Sequence, residues 1–305
     1  MPFNTHGVRT YALGLAHRAV RDIRRDNLRQ LRRYVDLCAL LSKRKGHRFF
    51  FDHAQEILAK ADSLYYPLIQ KVFNTVDEEH LCIFGVNFGI DAMTLGAAQL
   101  QQLNQAGEGP LPWLTLADAE QADELNTAVA AGCAKGMYLW GFFARNEQQA
   151  LQVGALAARH PTCDFMLVAT PGCMTRTLVR YLQDSPNLAT LVQLDSPQLT
   201  DEACAALNSL QAAKVNYGIT LTLTDDTAPQ VLQQEWLSLM AQYTPYCFFS
   251  HAQMSDAAVQ QMTRQVYTAR STTGAPLLLI MWEEDCAYIT RHISPNACIQ
   301  DLRAR

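Results

Sequence analysis

The chain has 305 residues, 49 % hydrophobic and 18 % charged, with 15 Gly and 12 Pro. That composition excludes a disordered, collagen-like or low-complexity protein, and the length is about twice the ~150-residue domain prior. The net charge of -4 is uneven: residues 1–50 carry twelve Lys and Arg against three acids, and residues 51–305 carry thirteen against twenty-six.

The first 25 residues lack a signal peptide's charged start, apolar core and small-residue cleavage site in that order. No apolar run reaches the ~18 residues of a membrane span, so a cytoplasmic protein is expected. Residues 8–44 have helical periodicity, with Arg18, Arg21, Arg25, Arg29, Arg32 and Arg33 recurring at three- and four-residue steps. Such a cationic ridge is a solvated face, a surface docked on the acidic body, or an anchor for an acidic partner. Arg25, Arg29, Arg32 and Arg33 are the candidate partner- or anion-binding residues. A nucleic-acid or membrane-surface partner is not expected, because no stacking aromatics interleave with the arginines.

The helical pattern continues to about residue 107. There the stretch QAGEGPLP, with two Gly and two Pro, reads as a linker. It divides an N-terminal helical domain, 1–110, from a second domain, 111–305. In the second domain short apolar runs alternate with helical segments. The expected strands are Trp113–Leu116, Met137–Phe143, Asp164–Ala169, Ala189–Leu194, Tyr217–Leu223, Tyr246–Ser250 and Pro276–Met281. The expected helices are 147–159, 174–183, 201–213, 229–241 and 256–272. Strands apolar on both faces, with helices between them, are βα units around a parallel sheet. The fold class is therefore α/β: a full or partial (β/α) barrel, with a doubly wound open sheet as the alternative.

In either arrangement chemistry belongs at the carboxyl ends of the strands. The polar residues there are Arg145, Asn146, Asp195, Ser196, Thr222, Thr224, His251 and Glu283, a ligand-binding set in which none is assigned as catalytic. Glu283, Glu284 and Asp285 read as a solvated rim, with acid–base work or a divalent cation as the alternative. The nine cysteines are scattered and mostly apolar in setting, which is how reduced, buried thiols look, and no CxxC supports a metal site. Cys247 with His251, and Cys286 with His292, are weak nucleophile–base pairs for the same reason.

The succession PWLTL, GMYLWGFF, HPTCDFMLVATPG, NLATLVQLDS and KVNYGITLTLT resembles the barrel core of radical S-adenosylmethionine enzymes, from about residue 64 to 285. It is nearest to an anaerobic bacterial subfamily with a helical N-terminal region. The resemblance implies a 4Fe-4S cluster held by CxxxCxxC after the first strand, and S-adenosylmethionine bound to it. Here the first strand runs into LADAEQADELNTAVAAGCAKG, with Cys133 alone. The family's GGEP is replaced by Gly141, Phe142, Phe143, Ala144 and Arg145, which sets two Phe rings where the family keeps its backbone bare and leaves the mouth either open or plugged.

The resemblance thus implies a degenerate member without cluster or radical chemistry: a binding subunit whose partner is a cluster-bearing paralogue or a second copy. Two alternatives stand beside it. One is a non-radical small-molecule enzyme using strand-end acids and His251. The other is a scaffold docking through its basic helix.

Overall fold

A computed structural model describes residues 5–25, 27–41, 51–52, 54–60, 62–293 and 297–303. The expected single helix over 8–44 is two: α1 (Thr5–Arg25) and α2 (Asn27–Leu41). They pack on each other through Ile23 and Leu31, which share a small core with Leu58 and Tyr66. α3 (Tyr65–Thr75) follows. Next comes one long helix, 78–105, made of α4 (Glu78–Val86), a π-helical stretch (Asn87–Gly96) and α5 (Ala97–Gln105).

The chain's basic start meets its acidic body here. His17 Nδ1 lies 2.9 Å from Glu78 Oε1, and Arg24 donates to the carbonyls of Phe73 and Val76, both at 2.8 Å. Arg9 pairs with Asp91 and donates to Asn87 Oδ1 at 2.6 Å. The helix 78–105 is long and apolar enough to cross a membrane. In this fold its polar residues Asn87 and Asp91 are buried against Arg9 instead. That departs from the sequence expectation, which found no run of that length.

Positive φ at Gly107 and Gly109 turns the chain out of α5 and into the sheet. Eight strands follow: β1 (Pro112–Asp118), β2 (Leu139–Ala144), β3 (Asp164–Ala169), β4 (Leu188–Leu194), β5 (Tyr217–Thr224), β6 (Tyr246–Gln253), β7 (Leu278–Met281) and β8 (Cys298–Asp301). Every neighbouring pair is parallel, in the order β7-β6-β5-β4-β3-β2-β1-β8. Sequential parallel order is that of a (β/α) barrel, but β8 joins β1 and β7 does not meet β8. This is a partial barrel with an open seam, and the doubly wound alternative is excluded because the strand order never reverses.

The helices between the strands are α6 (Asn126–Ala134), α7 (Glu147–Arg159), α8 (Arg176–Gln183), α9 (Asp201–Ala213), α10 (Gln234–Tyr243), α11 (Asp256–Thr268) and α12 (Trp282–Ile293). Three begin at side-chain caps: Asn146 accepts from Gln149 N, Thr175 from Leu178 N and Thr200 from Ala203 N. Their apolar faces cover the convex side of the sheet. Phe142, Phe165, Val192, Ile219 and Phe249 form a continuous core there with Leu156, Leu178, Leu207, Leu210 and Met240.

The concave side alternates large and small residues across the strands. Leu116 stands opposite Gly141, Gly141 opposite Met166, and Leu191 opposite Gly218. A Cβ on Gly141 would lie 2.6 Å from Leu116 Cδ2, so the missing side chain is what lets Leu116 close over it. Two elements were not expected from the sequence. α12 follows β7 without a loop, and with β8 it packs Cys286, Ile289, Ile293 and Ile299 against Trp113, Leu114 and Leu116 of β1.

Candidate functional site

The strands' carboxyl ends open onto a cleft of about 530 Å³, lined by Asp118, Phe143, Arg145, Thr170, Gln193, Asp301 and Arg303 among others. Strand alternation puts Phe142 wholly in the convex core, so only Phe143 reaches the cleft. Of the two alternatives the mouth is open, with one ring lining a wall. Arg303 lies over that ring, 4.3 Å from its centroid. Its Nε and Nη2 donate to Asp301 Oδ1 at 2.9 Å and Oδ2 at 2.7 Å. These bonds to Asp301 raise the Arg303 pKa, with Asp118 and Glu283 adding to the effect.

A second group stands within electrostatic reach of Arg303. His251, at the end of β6, has Nε2 2.8 Å from Glu284 Oε1 and 3.5 Å from Glu283 Oε2. His251 Nε2 and Glu284 Oε2 are shut from solvent, and neither has an aligned hydrogen-bond partner. One ligand atom from each of the three residues falls within 4.8 Å of the others, a spacing that suits a divalent cation as well as proton exchange. Partial burial raises the Glu283 carboxyl, against the pull of His251 and Arg303.

The eight candidate ligand residues fare differently. Arg145 lines the cleft, exposed and in no ion pair among the described residues, and His251 and Glu283 come together. Asn146 is committed to capping α7. Ser196 Oγ accepts from Gln198 N at 3.3 Å, and Thr224 is tied to Thr227. Thr222 Oγ1 meets Ser250 Oγ at 3.0 Å on the concave face, and Asp195 is exposed. Asp285 parts from its neighbours: it accepts from Met281 N at 2.9 Å and Arg270 Nη2 at 3.1 Å, a structural task.

Asp118, Gln193, Asp301 and Arg303 were not singled out from the sequence. The first two lie at strand ends, a signal already available. The last two come from β8, which carries too short an apolar run to be recognised.

The residues at this mouth do not fit the cluster that the family resemblance implies. β1 passes into Asp118, Ala119 and Glu120, without a cysteine. Cys133 lies 2.9 Å from Cys163, at the opposite, amino end of β3. Cys173 is buried with its Sγ 3.4 Å from Thr170 Oγ1, and Cys286 is buried in the packing of α12, which pushes its thiol up to about 12. Among the described residues no three cysteines share a centre. Cys247 is fully buried, which raises its pKa far, so it is no nucleophile for His251. His292 instead turns Nδ1 to the carbonyl of Tyr288 at 2.7 Å.

Arg25, Arg29, Arg32 and Arg33 are all exposed, and Arg32 donates to the carbonyl of Ala59 at 3.2 Å. The guanidiniums that meet acidic side chains of the body belong, among the described residues, to Arg9, Arg21 and Arg24.

No family model matches the chain. No curated protein matches it either. Among solved structures it is similar to SuiB of Streptococcus suis bound to S-adenosylmethionine, at 8 % identity and a TM-score of 0.45, over 70 % of this chain and 52 % of that one. The chain thus spans about half the length of that protein, and a likeness at this level speaks to neither activity nor ligand.

Proposed function

We propose that the protein is a cluster-free partial barrel that binds a small polar molecule at the carboxyl ends of its strands. One observation carries the reading: Asp118, Arg145, Thr170, Gln193, Asp301 and Arg303 converge from five strand ends on a single cleft. A plain surface rim has no reason to gather both charge signs and two uncharged hydrogen-bonding side chains around a concavity. The absence of cysteine after β1 sets the reading apart from radical chemistry on S-adenosylmethionine.

The test is a thermal-shift screen of small polar metabolites on the wild-type chain and on Arg145→Ala and Gln193→Ala. A compound that stabilises the wild type and loses its effect in both variants supports the reading. Equal shifts in all three proteins overturn it. So does anaerobic reconstitution that yields stoichiometric iron and sulfide together with reductive cleavage of S-adenosylmethionine.

The contact of His251 with Glu284 favours a fuller form of the same reading, in which the site is catalytic. His251 would exchange a proton with the bound molecule while Glu284 stabilises the imidazolium. Alternatively, His251, Glu283 and Glu284 would hold a divalent cation that polarises it. Separately, the exposed ridge of Arg25, Arg29 and Arg33 supports docking of an acidic partner, either a cluster-bearing paralogue or a second copy of this chain.

A further inference from the structure

We propose that Cys133 and Cys163 are a redox-active pair, which a small disulfide of the glutathione type closes into an intramolecular disulfide. The two Sγ atoms lie 2.9 Å apart, less than ~0.9 Å beyond S–S bonding distance, and both cysteines are free thiols. Cys163 is fixed from two sides: its carbonyl accepts from Asn87 Nδ2 at 3.2 Å and from Asn187 Nδ2 at 2.9 Å, and both asparagines are buried. Cys133 sits in the last turn of α6, where the chain turns back through Gly136 towards β2.

The two thiols have unequal environments, and this assigns their roles. Cys133 is partly exposed and Cys163 fully buried. The two sulfurs share a hydrogen bond, and burial pushes the Cys163 thiol up, while the partly exposed Cys133 is the one a small disulfide can reach. Cys133 is therefore the attacking thiolate and Cys163 the resolving thiol.

In the first step the Cys133 thiolate, its proton lost to solvent, attacks one sulfur of glutathione disulfide. The S–S bond breaks, and the departing thiolate is protonated from solvent. The Cys163 sulfur then attacks Cys133 Sγ, and the second glutathione thiolate, displaced beside it, takes the proton that Cys163 gives up. Two cysteines lose two electrons, and one glutathione disulfide becomes two glutathiones. The resulting bond joins the end of α6 to the entry of β3 and so closes a loop containing β2 and α7, the unit whose far end carries Arg145 into the cleft.

The experiment equilibrates the full chain in glutathione buffers of increasing oxidised fraction, blocks free thiols by alkylation and maps the peptides. The expected result is a bond between the Cys133 and Cys163 peptides, reversed by dithiothreitol, with the other seven cysteines alkylated. Cys163→Ser should trap a glutathione adduct on Cys133, and Cys133→Ser should leave Cys163 unmodified. The proposal is overturned if both thiols of the native chain remain fully alkylatable at the most oxidising ratio, or if either one bonds to a different cysteine. An adduct forming on Cys163 in place of Cys133 overturns the assigned roles.

Discussion

Arg303 covers Phe143 with its guanidinium 4.3 Å from the ring centroid, while Asp301, two residues earlier, grips the same group from the edge. The pair joins the last strand of the sheet to the second, so this wall of the cleft depends on residues more than 150 positions apart. Arg303→Ala should cost about 1 kcal/mol in urea unfolding, since partly exposed ion pairs and cation–π contacts each contribute roughly 0.5–1 kcal/mol. It should also weaken any ligand whose thermal shift depends on Arg145. A variant with full ligand response would place Arg303 outside the site.

Gly96 and Gly85 lie in the same long helix and should respond oppositely to alanine. A Cβ on Gly96 would stand 2.4 Å from the carbonyl oxygen of Gly136, a backbone atom, whereas one on Gly85 meets nothing within 4 Å. Gly85→Ala should stabilise by roughly 0.5–1 kcal/mol through helix propensity, and Gly96→Ala should destabilise by about 1–3 kcal/mol through overpacking. Calorimetry showing the same sign for both would contradict the close approach.

Glu283 carries a raised pKa, so the folded state holds its proton to higher pH than the unfolded state does. Its contribution is fully present below the unfolded carboxyl pKa and is lost as pH rises through the folded value. Glu283→Gln should therefore remove a downward slope of stability with pH above ~4.3. Denaturation midpoints across that acidic range provide the measurement, and an unchanged slope counts against the assignment.

Lys71 joins the helical segment to the barrel: its ammonium donates to the carbonyls of Ala241, Thr244 and Pro276. Burial lowers its pKa from 10.5 to about 8. The unfolded chain then binds more protons between those values, and this group makes stability rise with pH over that window. Lys71→Met should abolish the rise. It should also cost about 1–3 kcal/mol by leaving carbonyls without a donor. Unfolding of both proteins between pH 7.5 and 10.5 tests the two effects together.

Charge on the arginine ridge offers a binding test. A complex formed through Arg25, Arg29, Arg32 and Arg33 should weaken as ionic strength rises and on alanine substitution at those four positions. Folding should change little, because all four are exposed. Sedimentation of the chain alone and with an acidic partner at two salt concentrations reads this directly. A complex insensitive to both changes would exclude the ridge as its anchor.

Much of this architecture was legible because β1 to β7 each contain a compact apolar run and several of the helices between them open at a capping residue. Thr200 before Asp201–Ala213 and Asn146 before Glu147–Arg159 mark their helices to the residue. What escaped was set by distant contacts. The four residues Cys298–Asp301 have little apolar character of their own and become a strand only because β1 offers an edge. No Gly or Pro separates Met281 from Trp282, so the change from strand to helix is hidden, and the acids that start α12 read as a rim. At the site, His251 and Glu283 were visible at strand ends. Their approach to Glu284, like that of Asp301 and Arg303 to Phe143, follows from how the sheet curls, which no local pattern encodes.

A barrel closed by eight strand pairs has one radius, because changing it breaks hydrogen bonds. This sheet ends on β7 at one side and β8 at the other, and no strand ladder joins those two edges. The helix that runs straight out of β7 bridges the gap, setting side chains such as Cys286 and Ile289 against Ile299 and Leu114. The separation of Arg303 at one edge from Glu283 at the other is therefore held by apolar packing and not by backbone hydrogen bonds.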